Sequence, residues 1–118
     1  MADLLFLFSQ RPHSSIYPQE ALDAALAGSA FADIAILFLD AGVLQLLDTK
    51  PPYPLSPRKA FQRGFAAFSD YDIHGVYCCE TAFRQFQLEN KSLIIQPTLV
   101  TRSEIKTHLA SAKQVLSF

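Results

Sequence analysis

Leu4-Leu5-Phe6-Leu7-Phe8 is five apolar residues in a row, with no polar position between them. A strand with one wetted face alternates apolar and polar residues. A strand buried on both faces does not, and such strands belong to parallel sheets covered by helices on each side. Outward from this run, residues 9–15 are polar and read as a loop. The period then changes. From about Pro18, the residues Ala21, Leu22, Ala25, Leu26 and Ser29 share one helical face in an alanine-rich segment. Residues 32–39 read as a second buried strand, and residues 42–47 as a short apolar helix.

Pro51, Pro52 and Pro54 exclude a helix interior or a central strand, so residues 48–54 read as a loop inside the domain. A helix opening at Ser56 or Pro57 places Phe61, Phe65 and Phe68 on one side. Residues 76–79 predict a third strand, 81–88 a helix and 93–95 a fourth strand. A helix over 103–112 is capped by Ser103, with Lys106 where a glutamate or glutamine would complete a capping box. Residues 114–118 predict a final edge strand. Strands alternating with helices predict one α/β domain over 1–118, a three-layer α/β/α sandwich on a mostly parallel five-stranded sheet. A flavodoxin-like order makes the first and third strands neighbours, with the switch point between them.

The 118 residues suit one domain, and half of them are hydrophobic, which is ample for a core. The net charge of −1 gives no field of one sign to draw nucleic acid or a membrane surface. The longest apolar stretch, 34–39, is far too short to span a bilayer. No basic, then apolar, then small-residue leader is recognisable at the start, and the expected location is the cytoplasm. The two cysteines, Cys78 and Cys79, are adjacent, so no disulfide framework ties the fold together. No CxxC, HExxH, GxGxxG or P-loop string is present, and no metal or cofactor is expected.

Reactive groups in parallel sheets gather at the carboxyl ends of the strands. Cys79 closes the third strand just before a helix, where unpaired N–H groups favour a thiolate. Glu80 opposes that effect. The plain alternative is a small hydrophobe, and Cys78 on the opposite side of the strand is read that way. His13, in the loop after the first strand with Arg11, is the candidate assisting residue; its alternative is a solvated loop side chain. His74 is expected at the far end of the sheet and His108 on a helix surface, neither with a catalytic role. Val43, Leu44, Leu46 and Leu47 lie on several sides of the short apolar helix and are the candidate subunit interface.

The chain resembles the TusC/DsrF subunits of the DsrE/DsrF/DsrH-like sulfur-relay superfamily. The resemblance is carried by Phe6-Leu7-Phe8-Ser9, Arg11-Pro12-His13, the helix 19–27, Tyr71-Asp72-Ile73, the tail Val115-Leu116-Ser117-Phe118 and, above all, Leu39-Asp40-Ala41-Gly42-Val43-Leu44-Gln45-Leu46-Leu47. It implies an α/β/α sandwich and a place beside TusB-like and TusD-like subunits in a heterohexamer. It implies sulfur arriving from a TusA-like carrier and leaving on a TusE-like one, toward 2-thiouridine at the tRNA wobble position. No direct contact with nucleic acid or membrane is implied. The Dsr branch implies dissimilatory sulfur oxidation instead. The persulfide cysteine of TusD/DsrE-type subunits closes the third strand, the place of Cys79 here, but TusC/DsrF-type subunits are not usually assigned that role. The resemblance therefore implies an accessory subunit, with a persulfide carrier through Cys79 as the alternative. A flavodoxin-like small-ligand domain is the remaining reading.

Overall fold

The computed structural model describes residues 3–10, 17–47, 65, 67–68, 70–73 and 75–118. Its sheet is built from β1 (Leu4–Phe8), β2 (Ile34–Phe38), β3 (Gly75–Cys79), β4 (Thr98–Val100) and β5 (Gln114–Ser117). Every pairing is parallel, in the order β4-β3-β2-β1-β5. All five residues of β2 are buried, as a central strand covered on both faces requires.

The strand order corrects one expectation. β2 stands between β1 and β3, which are not neighbours. The physical reason is the direction of the crossovers. The chain steps from β1 to β2 to β3 to β4 the same way each time, so right-handed connections stack on one face. Only the return from β4 to β5 reverses, and it carries its helix to the other face. The switch point therefore lies between β1 and β5. Local periodicity says what forms a strand, not which strand lies beside it.

Side-chain alternation sorts the core into two layers. Phe6, Phe8, Ile34, Ile36, Phe38, Val76 and Cys78 point to the first face, with Ala21, Leu22 and Ala25 of α1 (Tyr17–Gly28). Phe65 and Phe68 pack there, and so do Ala82 and Phe83 of α2 (Glu80–Gln85). Leu5, Ala35, Leu37 and Val100 point to the second face, beneath Ile105 of α3 (Arg102–Ser111). The two layers and the sheet form the expected sandwich. Among the described residues no helix is long and apolar enough to cross a membrane.

Three local expectations are corrected. β4 is Thr98–Val100, not 93–95. Leu93 makes only an antiparallel bridge to Leu47, and the Ile94 N–H donates to the Leu46 carbonyl at 2.8 Å. α2 ends earlier than residue 88, at Gln85, and Gln87 turns the chain with φ 58°. α3 is capped by Thr101, not Ser103: Thr101 Oγ1 accepts from the Glu104 N–H at 3.3 Å, and Glu104 Oε1 accepts from the Thr101 N–H at 3.0 Å. This closed capping box holds the Glu104 carboxyl below its ordinary value. Thr101→Ala is expected to cost about 1 kcal/mol, and Ser103→Ala much less, in urea unfolding. Equal losses would sink the assignment of the cap.

Candidate functional site

Parallel pairing sends all five strand ends to one edge of the sheet. At that edge the Ser9 and Leu39 N–H groups donate to the carbonyls of Phe118 (3.0 Å) and Phe8 (2.9 Å). The next turn is the 3-10 helix Asp40–Leu46. Asp40 enters it with φ 48°, a left-handed conformation that aspartate tolerates better than most residues. Gly42 follows because nothing larger fits. A Cβ there would fall onto the carbonyl of Phe8 and lie 2.9 Å from Ser9 Cα. Val43, Gln45 and Leu46 are buried. The Gln45 side-chain amide donates to the Gln10 carbonyl at 3.1 Å, fastening the chain where it leaves β1.

These positions revise the expected interface. Val43 and Leu46 are fully buried in the chain's own core, so they present no surface. A seven-residue turn pressed against the end of β1 hides more of its apolar perimeter than a free helix would. Leu44 and Leu47 are half-buried against the core and keep an accessible side.

Cys79 ends β3 and stands at the N-cap of α2, with an extended backbone and no capping bond from its sulfur. It is half-buried, while Cys78 is fully buried. Period-2 alternation turns Cys78 into the first core layer. There, burial, helped by the nearby Cys79, pushes the Cys78 thiol up from 9.0 to about 12. The Cys78 S–H points at the Cys79 carbonyl, 3.7 Å away. The folded state keeps this thiol protonated. That contribution is fully present below pH 9 and is lost as pH rises toward 12. One fast-reacting thiol is expected with a disulfide reagent in the native protein, and two in denaturant. Two equal native rates would overturn this account of the pair.

Both influences expected at Cys79, the helix end and the Glu80 carboxylate, are weaker than the strand-to-helix position suggested. α2 has six residues, fewer than two turns, so its dipole is small. The Glu80 carboxylate is paired with Arg84 one turn on, at 2.6 Å. That pairing mutes the repulsion of a thiolate by Glu80. His13, Arg11 and His74 lie outside the described residues. β1 is two strand spacings from β3, about 10 Å.

Two features escaped the reading of the sequence. Gln45 was visible as a lone polar residue in an apolar run, which signals a buried hydrogen bond. His108 is not a plain surface residue: its ring lies 4.2 Å from that of Tyr77, tilted by 35°.

The chain is thus a parallel α/β protein whose strand ends are locked together by a glycine-dependent turn, with one accessible thiol at the same edge. It belongs to the DsrE/DsrF-like family, whose model matches residues 2–118. It is similar to a protein named TusC homolog from Haemophilus influenzae, 35% identical over 98% of each chain. A TusC homolog from Aliivibrio fischeri is 33% identical over the whole of both chains. Among solved structures, the ychN protein of E. coli superposes with a TM-score of 0.82 over both full chains at 19% identity, a likeness of fold.

Proposed function

We propose that this protein is a docking subunit of a cytoplasmic sulfur-relay complex, seated beside TusB-like and TusD-like partners. In this reading it supports persulfide transfer toward 2-thiouridine at the tRNA wobble position. The observation that carries the reading is the end-to-end match to proteins named as TusC homologs. The site agrees with a docking role. Its most constrained residues, Asp40, Gly42 and Gln45, shape the strand-end edge and its loops, and Leu44 and Leu47 keep an accessible side there. Native mass spectrometry after co-expression with the two partner subunits tests it. A heterohexamer with two copies of each chain is expected. This chain emerging alone would overturn the reading.

A second reading rests on Cys79 being the accessible thiol of the pair. Its thiolate attacks the outer sulfur of a donor persulfide, R–S–SH. A new S–S bond forms at Cys79, the donor S–S bond breaks, and R–S⁻ leaves, with no external oxidant. A gain of one sulfur on Cys79 after incubation with a cysteine desulfurase and cysteine, absent in Cys79→Ser, supports carriage. An unmodified thiol removes it. The Dsr-type role in sulfur oxidation would use the same contacts, and exchange of partner subunits between the two systems separates them.

A further inference from the structure

β5 is an outer strand of the sheet, bonded to β1 on one side and, among the described residues, to no strand on the other. All of its residues, Gln114–Ser117, are exposed. The bonds to β1 fix which of its backbone groups face outward. The Gln114 and Phe118 N–H groups donate to the carbonyls of Asp3 (3.0 Å) and Leu7 (2.9 Å), and the Ser9 N–H donates to the Phe118 carbonyl. Successive residues of a strand turn their backbone groups to opposite sides. In this register Gln114, Leu116 and Phe118 therefore face β1, and Val115 and Ser117 turn their N–H and C=O groups to the open side. No described residue bonds to those outward groups.

Folded chains guard such an edge against a foreign strand with prolines, charges or very short strands. The other outer strand is guarded in this way. β4 has three residues, starts immediately after Pro97 and runs into the capping box of α3 at Thr101. β5 carries no proline and no charge. Lys113, the cation just before it, is drawn back onto Asp3 Oδ1 at 3.0 Å. The apolar side chains of β5 stand on opposite faces of the sheet. Leu116 is level with Phe6 on the first face, and Val115 with Leu5 on the second. They are 37% and 39% exposed.

We propose that β5 pairs with β5 of a second copy of this chain, antiparallel about a two-fold axis, to make one continuous sheet. A strand set beside its own copy by a two-fold axis across the sheet runs antiparallel to it. One register uses all the outward groups of β5 and nothing beyond the strand. In it, Val115 exchanges both its backbone bonds with Ser117 of the second copy, and Ser117 with that copy's Val115. Leu116, whose own N–H and C=O face β1, falls on the axis at a non-hydrogen-bonded position, where facing side chains come closest. There an exposed leucine meets its counterpart. This self-match favours a second copy over an unlike strand, and charge agrees with it. Antiparallel pairing sends the two Lys113 side chains to opposite ends of the ladder, so no like charges face each other. With β4 guarded, pairing closes at two chains and no fibre grows. The proposal stands apart from the sulfur-relay reading, because its test uses this chain alone.

The test is analytical ultracentrifugation of the full chain by itself, from about 1 μM to about 1 mM, with amide hydrogen exchange at both ends of that range. Conversion of monomer to dimer is expected as concentration rises. Exchange at the Val115 and Ser117 amides should slow at least about tenfold in the dimer, and exchange at Leu116, already turned to β1, should slow less. Val115→Pro removes an outward N–H and leaves the bonds to β1 in place, so it should keep a dispersed NMR spectrum. It should weaken the dimer at least about tenfold. If that variant does not fold, Leu116→Lys at an exposed position asks the same question, because it sets two cations face to face on the axis. A monomer throughout the range overturns the second copy as the occupant. A dimer with fast exchange at both amides, or one that the folded variant leaves as tight as before, overturns β5 as its seat.

Discussion

Gly42→Ala is expected to cost at least about 3 kcal/mol, a large share of the stability of any single domain. The added methyl would land on the Phe8 carbonyl, which is backbone and cannot rotate aside. Relief requires lifting the 3-10 helix off the end of β1. That strains the bond from the Leu39 N–H to the same carbonyl and the bond from Gln45 to Gln10. Gly28→Ala is the control. Its Cβ would meet only the tip of the Ile34 side chain, at 3.2 Å, so a change within about 1 kcal/mol is expected. Urea unfolding compares the two. Equal midpoints for Gly42→Ala and the parent chain would refute the close approach. The same comparison reads the edge: the alanine variant should also lose its partners in a co-expression pull-down.

Phe38→Ala should cost about 3–5 kcal/mol. Phe38 ends the central strand and is completely buried. Its ring stacks on Phe8 with centroids 5.2 Å apart and meets Phe65 edge-on at 5.4 Å. Phe8 also meets Phe65 edge-on, at 5.6 Å, so three rings close a triangle across two strands and a later segment. Removing one corner leaves a void that two rigid sheet strands cannot collapse to fill. A double-mutant cycle with Phe8→Leu and Phe38→Leu isolates the pair and should return a coupling of about 0.5–1.5 kcal/mol. A loss under about 1.5 kcal/mol for Phe38→Ala would mean the triangle is loosely packed.

Much of this architecture was legible in the chain. β1 and β2 are unbroken apolar runs in a sequence otherwise punctuated by polar loops, and burial on both faces accounts for them, while β3 alternates, with only Val76 and Cys78 fully buried. β4 was not legible, because Leu93-Ile94-Ile95 is the more apolar string. Thr98-Leu99-Val100 follows Pro97 and buries only Val100. A short edge strand with one inward residue leaves little trace in composition, and a proline just before its first residue is no obstacle. The cap of α3 was written plainly as Thr101-Arg102-Ser103-Glu104, but apolar spacing pulled the expected start two residues late. Strand order and the inward turn of Val43 and Leu46 depend on contacts between distant segments. At the candidate site, the position of Cys79 followed from the sequence. The brevity of α2 and the pairing of Glu80 with Arg84 did not; the first weakens the helix-end effect and the second weakens the carboxylate that opposes it.

The alternation that separates Cys78 from Cys79 also governs how the chain meets an oxidant. Neighbouring Cα atoms across a trans peptide are ~3.8 Å apart, closer than the ~4.4–6.8 Å of ordinary disulfides, and these two sulfurs leave the strand on opposite sides. An internal bridge would have to unpair Cys78 and Cys79 from Leu99 and Val100. The chain therefore has no intramolecular redox couple of its own. Any disulfide that Cys79 forms within the fold is therefore with another molecule and is reversible by a thiol that reaches the strand-end edge, while the buried Cys78 is shielded for as long as the fold holds.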